Sequence, residues 1–300
     1  MRKIALIVFL ILLSSLNAYA QEWMKSLSIA KRLALTENKM ILMMWEEATL
    51  YPFPVIMYDD DGRKIFVEDM FTVPEIEEIL WENFVPLTIN ESMYDDLYKE
   101  IKGKRKLTYI DKFNDDTIKI LDVNGNILNA KNVYSTSRVN LTELILKYAL
   151  DTKFLKQELI NYRNKKDFYS TFYLASKYVD YAIYNIRNIR EEILDLSNIY
   201  LKEAKDLLED SNLENKEKLE QRIRLIRMKQ DLMLNNPKKV LRQLKRINAP
   251  TIENANTPLI AFLYLTAYRL LNDEVNAAEW RPKVSLINIK ISQLIINNNR

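Results

Sequence analysis

The side chains of this 300-residue chain that could carry out chemistry are its carboxylates, because the chain contains neither cysteine nor histidine. The absence of cysteine excludes thiol–disulfide chemistry. The absence of histidine removes the usual general base and the commonest metal ligand, so catalytic triads, zinc sites and haem ligation are not expected. We therefore predict no metal site, no cofactor and no catalytic site of these kinds.

The best placed carboxylates are those of Glu46 and Glu47, which directly follow the apolar run 40–45. Paired carboxylates do acid–base work when their surroundings separate their pKa values. Adjacent residues of an extended chain point to opposite sides, however, so these two form a poor pair. A hydrolase-type enzyme is one alternative, in which Glu46, Glu47, Asp116 and a tyrosine converge and burial raises the pKa of at least one carboxylate.

Two acidic turns need an explanation of their own. Asp59-Asp60-Asp61-Gly62 and Asp122-x-Asn124-Gly125 both contain oxygen ligands of the kind that calcium prefers. Neither has the alternating spacing of acids that a calcium-binding EF-hand loop requires. Both are typical of tight turns between strands, and we interpret them as turns.

The elements that must position these residues are predicted from apolar patterns and turn residues. In the front half the strands come from short apolar runs, and Asn124-Gly125 favours the positive φ angles of a tight hairpin. One helix begins with a proline and carries carboxylates in its first turns. The predicted strands are 40–45, 55–58, 64–67, 84–89, 117–121 and 127–128, and the predicted helices are 26–37 and 74–83.

The rear half has a different pattern. From residue 141 onwards there is no glycine, and apolar residues recur at helical spacing. Helices of about 20 residues with short connections indicate antiparallel helical hairpins, either tetratricopeptide-like or an irregular bundle. We place this all-helical domain at 149–300. Its predicted helices are 141–163, 167–186, 189–210, 214–234, 237–247, 257–272 and 274–296.

The N-terminus resembles a cleavable targeting segment. Arg2 and Lys3 precede an apolar run from Ile4 to Leu13, and the small-residue pattern Ala18-Tyr19-Ala20 follows. Ten apolar residues are too few to span about 30 Å of hydrocarbon. We predict a signal peptide at 1–20, cleavage before Gln21, export to the periplasm or the exterior, and no transmembrane segment.

Charge divides the chain in the same way as the structural pattern does. Residues 21–150 contain 16 basic and 22 acidic residues, a net charge of −6. Residues 151–300 contain 26 basic and 19 acidic residues, a net charge of +7. An acidic front half and a basic rear half indicate two domains with different surfaces.

Ordered segments of the front half resemble the secreted thioredoxin-like family. Trp23 and the helix that ends at Glu37-Asn38-Lys39, just before the first central strand, resemble the opening of that family. Residues 73–87 resemble its next helix and strand, and 116–126 resemble its late hairpin. The resemblance implies an α/β thioredoxin-like domain, which we place at 21–148.

The chemistry of that family does not carry over. The position of its Cys-x-x-Cys motif falls within 45–52, which contains no sulfur nucleophile, and its cis-proline aligns with Asp116. Residues 52–67 resemble a hairpin inserted where the family has its active-site helix. The resemblance therefore implies a domain without redox activity.

The resemblance also implies a binding edge, because thioredoxin folds bind extended polypeptide beside the position of the lost cis-proline. Aromatic and proline residues in the degenerate loop are suited to keep that role without the cysteines. Plain packing of the inserted hairpin is the alternative for most of them. The candidate polypeptide-contacting residues are Trp45, Glu46, Glu47, Tyr51, Pro52, Phe53, Asp116 and Thr117.

Two neighbouring predicted helices carry a cluster of basic residues. Such a surface suits nucleic acid, acidic lipid or an acidic protein face, and solvated helix faces often have the same composition. Export argues against nucleic acid. The cluster consists of Arg222, Arg224, Arg227, Lys229, Lys238, Lys239, Arg242, Lys245 and Arg246.

The sequence thus favours a non-catalytic exported protein that binds or organises protein partners in the cell envelope. The hydrolase-type enzyme is one alternative. A structural component of an envelope complex is another, in which neighbours bury the helical domain. A large exposed apolar patch within 141–300 would favour that reading. The oligomeric state stays open.

Overall fold

The computed structural model describes residues 22–59, 61–131, 138–247 and 254–299. The predicted signal peptide at 1–20 and the cleavage before Gln21 lie outside the described residues. The described residues belong to two compact units, and the division falls between Asp151 and Thr152. The first, the α/β unit, combines two small sheets with helices, and the second, the helical unit, is built of helices. An α/β part and a helical part are therefore both present, as expected.

Three strands form the central sheet of the α/β unit. The strands of this unit are β1 (Met40–Trp45), β2 (Val55–Tyr58), β3 (Lys64–Val67), β4 (Phe84–Ile89), β5 (Lys119–Leu121) and β6 (Val139–Asn140). β1 lies in the centre, parallel to β4 and antiparallel to β5. Single bridges extend the sheet on both sides, because Met24 pairs in parallel with Leu87 and Ile127 pairs antiparallel with Leu121. The order across the sheet is Met24, β4, β1, β5, Ile127.

The apolar runs of the sequence explain this sheet. Every residue of β1 and β4 is buried, as expected for strands that are covered on both faces. Their bounds agree with the strands predicted at 40–45 and 84–89. β5 is shorter than the predicted strand 117–121, and Ile127 forms a bridge where a strand at 127–128 was expected.

The predicted hairpin between β1 and the next helix is present. β2 and β3 pair antiparallel, with Val55 opposite Val67, and Gly62 occupies the turn with a φ of 75°. β2 also pairs in parallel with β6, where Val55 lies opposite Val139. The backbone N–H of Tyr58 donates to the hydroxyl of Thr142 over 3.0 Å. The hairpin is therefore held by residues far along the chain.

Among the described residues, five α-helices complete the α/β unit: α1 (Leu27–Glu37), α2 (Pro74–Asn83), α3 (Tyr94–Ile101), α4 (Leu107–Asn114) and α5 (Leu141–Tyr148). α1 ends at Asn38, whose left-handed φ of 59° closes the helix just before β1. α2 starts with Pro74 and carries Glu75 and Glu77 in its first turn, which agrees with the prediction at 74–83. α3 and α4 were not predicted.

The helical unit contains eight α-helices among its described residues. Its first half holds α6 (Lys156–Asn164), α7 (Phe168–Ile183), α8 (Arg187–Glu209) and α9 (Lys216–Met233). Its second half holds α10 (Pro237–Leu244), α11 (Thr257–Leu270), α12 (Glu274–Trp280) and α13 (Leu286–Asn298). The predicted break at Asn248-Ala249-Pro250 lies outside the described residues.

Two of the long predicted helices are wrong, because each is two helices in the structure. The predicted helix 141–163 is α5 and α6, and the chain leaves helical geometry at Ala149, whose ψ is 70°. The predicted helix 274–296 is α12 and α13. Pro282 lies in the break and cannot donate to a preceding turn, and Ser285 then caps α13 by accepting from the N–H of Asn288.

A buried polar chain joins the central helices of the helical unit. Tyr178 of α7 and Tyr200 of α8 are stacked with ring centres 5.5 Å apart, and both are fully buried. The hydroxyl of Ser197 donates to the carbonyl of Ala175 over 2.8 Å, and Gln230 of α9 donates to Ser197 over 3.0 Å. These bonds satisfy polar groups that burial would otherwise penalise, and they link three helices.

Candidate functional site

The segment after β1 is the most exposed apolar part of the predicted binding edge. It makes a short 3-10 turn at Glu47–Leu50 and then runs to β2, and we call residues 46–54 the β1–β2 loop. Leu50 and Tyr51 expose 75% and 72% of their surface. Pro52 is also exposed. The loop therefore presents adjacent apolar side chains to solvent, of which Leu50 was not among the predicted contact residues.

Trp45 lies in the core instead of the loop surface. It is 4% exposed, and its indole N–H donates to the backbone carbonyl of Phe113 over 2.9 Å. Its ring packs against the rings of Phe113 and Tyr94, with centres 5.3 and 5.8 Å away. The contacts of Trp45 thus hold α3 and α4 against the end of β1.

Glu46 and Glu47 have separate surroundings. The carboxylate of Glu46 accepts a hydrogen bond from the side-chain amide of Asn90 over 2.6 Å and lies 3.4 Å from the ammonium of Lys25. The hydrogen bond from Asn90, helped by Lys25, lowers the pKa of Glu46. Glu47 is exposed, and its backbone N–H donates to the carboxylate of Glu91 over 2.8 Å. Glu46 is therefore ionised at neutral pH and is unsuited to act as a general acid.

Phe53 connects the loop to a line of aromatic rings. It is half-buried, and its ring centre lies 6.4 Å from that of Phe71. Phe71 in turn meets Trp23 edge to face at 5.6 Å. The carboxylate of Asp69 fixes this corner, because it accepts the backbone N–H groups of both Phe53 and Phe71. The segments that flank the hairpin of β2 and β3 are thereby joined to the N-terminal segment at one side of the loop.

An open cleft of about 340 Å³ lies along this aromatic line. Five elements supply its walls: the N-terminal segment, the 3-10 turn of the β1–β2 loop, the short helix at Met70–Thr72, α2 and β4. Its volume falls at the lower end of the range for binding pockets. The lining residues are Glu22, Trp23, Lys25, Thr49, Met70, Phe71, Glu77, Leu80 and Thr88.

The cleft and the predicted acidic residues do not coincide. The carboxylates among the described residues that line the cleft belong to Glu22 and Glu77. Glu46, Glu47 and Asp116 do not line it. Burial, and then the neighbouring carboxylate of Glu22, raise the pKa of Glu77. Sequence reasoning missed the cleft, because its residues come from segments that are distant along the chain and share no motif.

Asp116 and Thr117 lie at the start of β5. Asp116 is exposed, whereas Thr117 is half-buried and engaged with Asp115. The backbone N–H and the hydroxyl of Thr117 both donate to one carboxylate oxygen of Asp115, over 3.0 and 2.9 Å. The hydroxyl of Thr117 also accepts a hydrogen bond from Lys112. Thr117 is therefore part of an internal polar cluster.

Two buried lysines share the carboxylate of Asp115. The side chains of Lys112 and Lys119 are 0% and 1% exposed, and their ammonium groups lie 3.0 and 3.1 Å from the two oxygens of Asp115. Lys119 also donates to the carbonyl oxygens of Asp115 and Thr117. Its ammonium lies 5.9 Å from the ring centre of Trp45. Sequence reasoning missed this lysine cluster, although a lysine between Ile118 and Ile120 in a strand is a visible signal.

Burial controls the ionisation of this lysine cluster. Removal from water lowers the pKa of Lys119 to about 8, although Asp115 opposes the change. Burial lowers the pKa of Lys112 as well. Burial would raise the pKa of Asp115, but Lys119 and Lys112 hold it below its ordinary value. Two ammonium groups with one carboxylate between them leave an excess of positive charge in the cluster.

The stability of the α/β unit is expected to rise with pH through the range in which Lys119 loses its proton. The folded protein releases this proton at about pH 8, whereas the unfolded chain holds it up to about 10.5. Between these values the unfolded state binds more protons, so the free energy of unfolding increases with pH. This gain in the free energy of unfolding is complete above the pKa of Lys119 in the unfolded chain, about 10.5, and is lost as the pH falls through about 8.

Urea unfolding of the wild type and of Lys119→Met across this pH range measures the effect. Methionine is similar in size and does not titrate, so the difference between the two proteins should shift in favour of the wild type as the pH rises. Tyrosines and lysines outside the lysine cluster contribute equally to both. A difference that stays constant, or that shifts the other way, would contradict a lowered pKa for Lys119.

The predicted basic cluster occupies α9, α10 and the turn directly after α10, and the two helices follow one another and pack together. We call α9, α10 and residues 245–246 the basic hairpin. Lys229 is buried and pairs with Asp180, and Arg222 is half-buried. The remaining members are exposed: Arg224, Arg227, Lys238, Lys239, Arg242, Lys245 and Arg246.

The two acidic segments, 59–62 and 122–125, form tight turns in their described residues. The carboxylate of Asp59 accepts the backbone N–H of Arg63 over 2.7 Å, and that of Asp122 accepts those of Asn124 and Asn126. Asp60 lies outside the described residues. Within the described ranges, no group of three or more acidic residues is arranged to hold a metal ion.

Two further findings bear on the class of the protein. None of the helices in the described part of the chain is both long enough and apolar enough to cross a lipid bilayer. Comparison of the chain with protein-family models, with curated proteins and with solved structures finds no match in any of the three. The function is therefore inferred from the geometry and chemistry of the site.

Proposed function

We propose that this protein is a non-catalytic, exported binding protein that contacts a polypeptide partner through the β1–β2 loop and the adjoining cleft. One observation carries the proposal: Leu50 ends the 3-10 turn and Tyr51 follows it, the two are 75% and 72% exposed, and Thr49 of the same turn lines the cleft of about 340 Å³ together with Trp23 and Phe71. Single exposed apolar residues are ordinary, but adjacent ones beside a concave surface favour a binding site.

The α/β unit is proposed to be a thioredoxin-like domain without redox activity. The succession of α1 and β1, then α2 and β4, then β5 and the bridge at Ile127 supports this, because the resemblance implies the same order of helix, strand, helix, strand and hairpin. The hairpin of β2 and β3 stands where the resemblance places the active-site helix. A loop at this edge of such a domain is suited to bind extended polypeptide.

The surroundings of the carboxylates favour binding over catalysis. The pKa of Glu46 is lowered, chiefly by the hydrogen bond from Asn90, so at neutral pH this residue has no proton to donate to a leaving group. Glu47 and Asp116 are exposed. A hydrolase-type enzyme needs a carboxylate with a raised pKa beside the other predicted catalytic groups. Burial raises the pKa of Glu77 in the cleft, but Glu46, Glu47 and Asp116 do not line that cleft.

A second candidate function is a structural role in an envelope complex. The specific observation is an apolar face on α13, where Leu286 and Ile287 expose 79% and 72% of their surface and Leu294 exposes 37%. Residues 287 and 294 are seven positions apart and therefore lie on one side of the helix. Burial of this face by a neighbour would stabilise a complex through the helical unit.

Site-specific photo-crosslinking in cells distinguishes these candidates. A photo-reactive residue is placed at Tyr51, at Ile287 or at Leu146, which is 75% exposed and serves as the control position. The proposed function predicts a discrete crosslinked partner from position 51 and none from position 146. Labelling from position 287 instead would favour the structural role.

A matched pair of variants makes the crosslinking result specific. Leu50→Ser, introduced beside the photo-reactive residue at 51, should abolish the crosslink, whereas Leu146→Ser should not. The purified partner and protein should then bind with one-to-one stoichiometry in titration calorimetry. Equal labelling from all three positions, or no effect of Leu50→Ser, would contradict a binding site at the loop.

A further inference from the structure

The exposed cations of the basic hairpin lie on one continuous surface. Arg224, Arg227 and Asp231 are three and four positions apart on α9, so they share one face of that helix. Lys239 of α10 contacts the carboxylate of Asp231 over 2.8 Å, with half of its side chain exposed. This ion pair joins the basic face of α9 to α10 at the solvent side.

One side of α10 packs against other helices, and its exposed side carries charged residues. Pro237, Val240 and Leu244 are buried, and the helix packs on α9 and α11. Because Pro237, Val240 and Leu244 are used in that packing, the exposed side of α10 consists mainly of cationic side chains. Those cations are Lys238, Lys239 and Arg242, and Lys245 and Arg246 follow in the turn after the helix; all five are exposed.

On α9 the cations share their face with carboxylates, because Glu220 lies four positions before Arg224 and Asp231 four positions after Arg227, whereas residues 237–247 contain no carboxylate. Lys239 has its partner in Asp231. Among the described residues, the other six exposed cations of the basic hairpin make no ion pair. Uncompensated charge of one sign over a small area produces a strong local potential that attracts a polyanion. These six are Arg224, Arg227, Lys238, Arg242, Lys245 and Arg246.

We propose that the basic hairpin docks the helical unit on an anionic phospholipid surface. Interfaces between folded proteins have an apolar, often aromatic centre and few lysines. The cationic face has no aromatic residue, and Leu234, 41% exposed at the turn after α9, is its exposed apolar neighbour. A phospholipid surface supplies dense phosphate groups and demands no shape complementarity, so it matches an exposed face of lysine and arginine.

The attachment is peripheral and electrostatic. Pro237, Val240 and Leu244 of α10 are buried in the fold and Leu241 is half-buried, so the helix has no fully exposed apolar residue to insert between lipids. Each lysine or arginine close to an anionic bilayer contributes independently, and the attraction falls off within a Debye length, about 10 Å at 0.1 M salt. Binding should therefore require anionic lipid and weaken strongly with salt.

Vesicle co-sedimentation of the mature chain tests the proposal. The probes are phosphatidylcholine vesicles and phosphatidylcholine vesicles that contain one third phosphatidylglycerol, at about 0.1 M and about 0.5 M salt. Binding is expected with the anionic vesicles at low salt only. The triple variant Arg242→Gln, Lys245→Gln, Arg246→Gln should reduce partitioning by about 100-fold.

A second triple variant separates the hairpin from net charge. Arg281, Lys283 and Lys290 are exposed cations of the same unit, and their replacement by glutamine lowers the net charge equally. This control should bind within a few-fold of the wild type. All six positions are exposed, so unchanged thermal unfolding of both variants is expected and is checked first.

Several results would overturn the proposal. These are absence of binding to anionic vesicles, equal binding to neutral vesicles, or equal loss in the two triple variants. Tighter binding to double-stranded DNA than to anionic vesicles at equal phosphate concentration would show that the face recognises nucleic acid instead. None of these outcomes depends on the β1–β2 loop, so the proposed function is tested separately.

Discussion

The variant Asp115→Asn is expected to lose about 3–5 kcal/mol of unfolding free energy, because it removes the carboxylate between two buried ammonium groups. Lys112 and Lys119 are 0% and 1% exposed, and both lie within hydrogen-bonding distance of Asp115. An amide cannot neutralise either of them. Urea unfolding followed by tryptophan fluorescence measures the loss, since three of the four tryptophans (Trp23, Trp45 and Trp81) belong to the α/β unit.

The adjacent carboxylate provides a matched control for Asp115→Asn. Asp116 is exposed, so Asp116→Asn should change stability by no more than about 0.5 kcal/mol. A double variant adds a second check. Combining Asp115→Asn with Lys119→Met removes one of the stranded charges, and its loss should be smaller than the sum of the two single losses. A loss below about 1 kcal/mol for Asp115→Asn would mean that water or rearrangement already compensates the lysines.

Trp45→Ala is expected to destabilise the α/β unit by about 3–5 kcal/mol, as large buried aromatic residues do when truncated. The side chain is 4% exposed and packs against Phe113 and Tyr94. Trp45→Phe should be milder, because it keeps a ring and loses mainly the hydrogen bond to the carbonyl of Phe113, worth about 1–3 kcal/mol when the acceptor is left unsatisfied. Urea unfolding followed by circular dichroism gives both values.

Tyr51→Ala is the corresponding loop variant. Tyr51 is 72% exposed, so its replacement should leave stability within about 0.5 kcal/mol of the wild type. The stability of the two variants therefore distinguishes a core residue from a surface residue, although Trp45 and Tyr51 were both predicted to contact a polypeptide. If Trp45→Ala left stability unchanged while it reduced partner binding, the assignment of Trp45 to the core would be wrong.

Elements with an uninterrupted apolar run or a clear start signal were predictable from the sequence. The bounds of β1, β4 and α2 follow directly from the runs 40–45 and 84–89 and from Pro74. α3 and α4 were missed because each has only eight residues, too few for a helical period to stand out. The breaks at Ala149 and Pro282 were missed because the apolar pattern continues across them.

The candidate site was predictable only in part. Tyr51 and Pro52 could be found as an apolar loop after a buried strand. Trp45 belongs to the same sequence cluster, yet the alternation of a strand covered on both faces directs it inwards, and only the position of Phe113 shows this. The cleft needs Trp23 and Phe71 to meet, and that contact depends on tertiary structure.

The parallel pairing of β2 with β6 also determines the order in which the chain can assemble. The bond from Tyr58 to Thr142 closes a separation of 84 residues, so it forms late compared with the local pairing of β2 with β3. Until then the side of β2 that pairs with β6 has no partner strand. β3 is the outer strand of this sheet in the folded unit, where Ile65 and Phe66 are half exposed and the guanidinium of Arg138 lies 4.3 Å from the ring centre of Phe66. A chain that emerges from its N-terminus therefore keeps an unpaired strand edge on β2 until residues 139–142 arrive, and this interval is when a chaperone would be needed most.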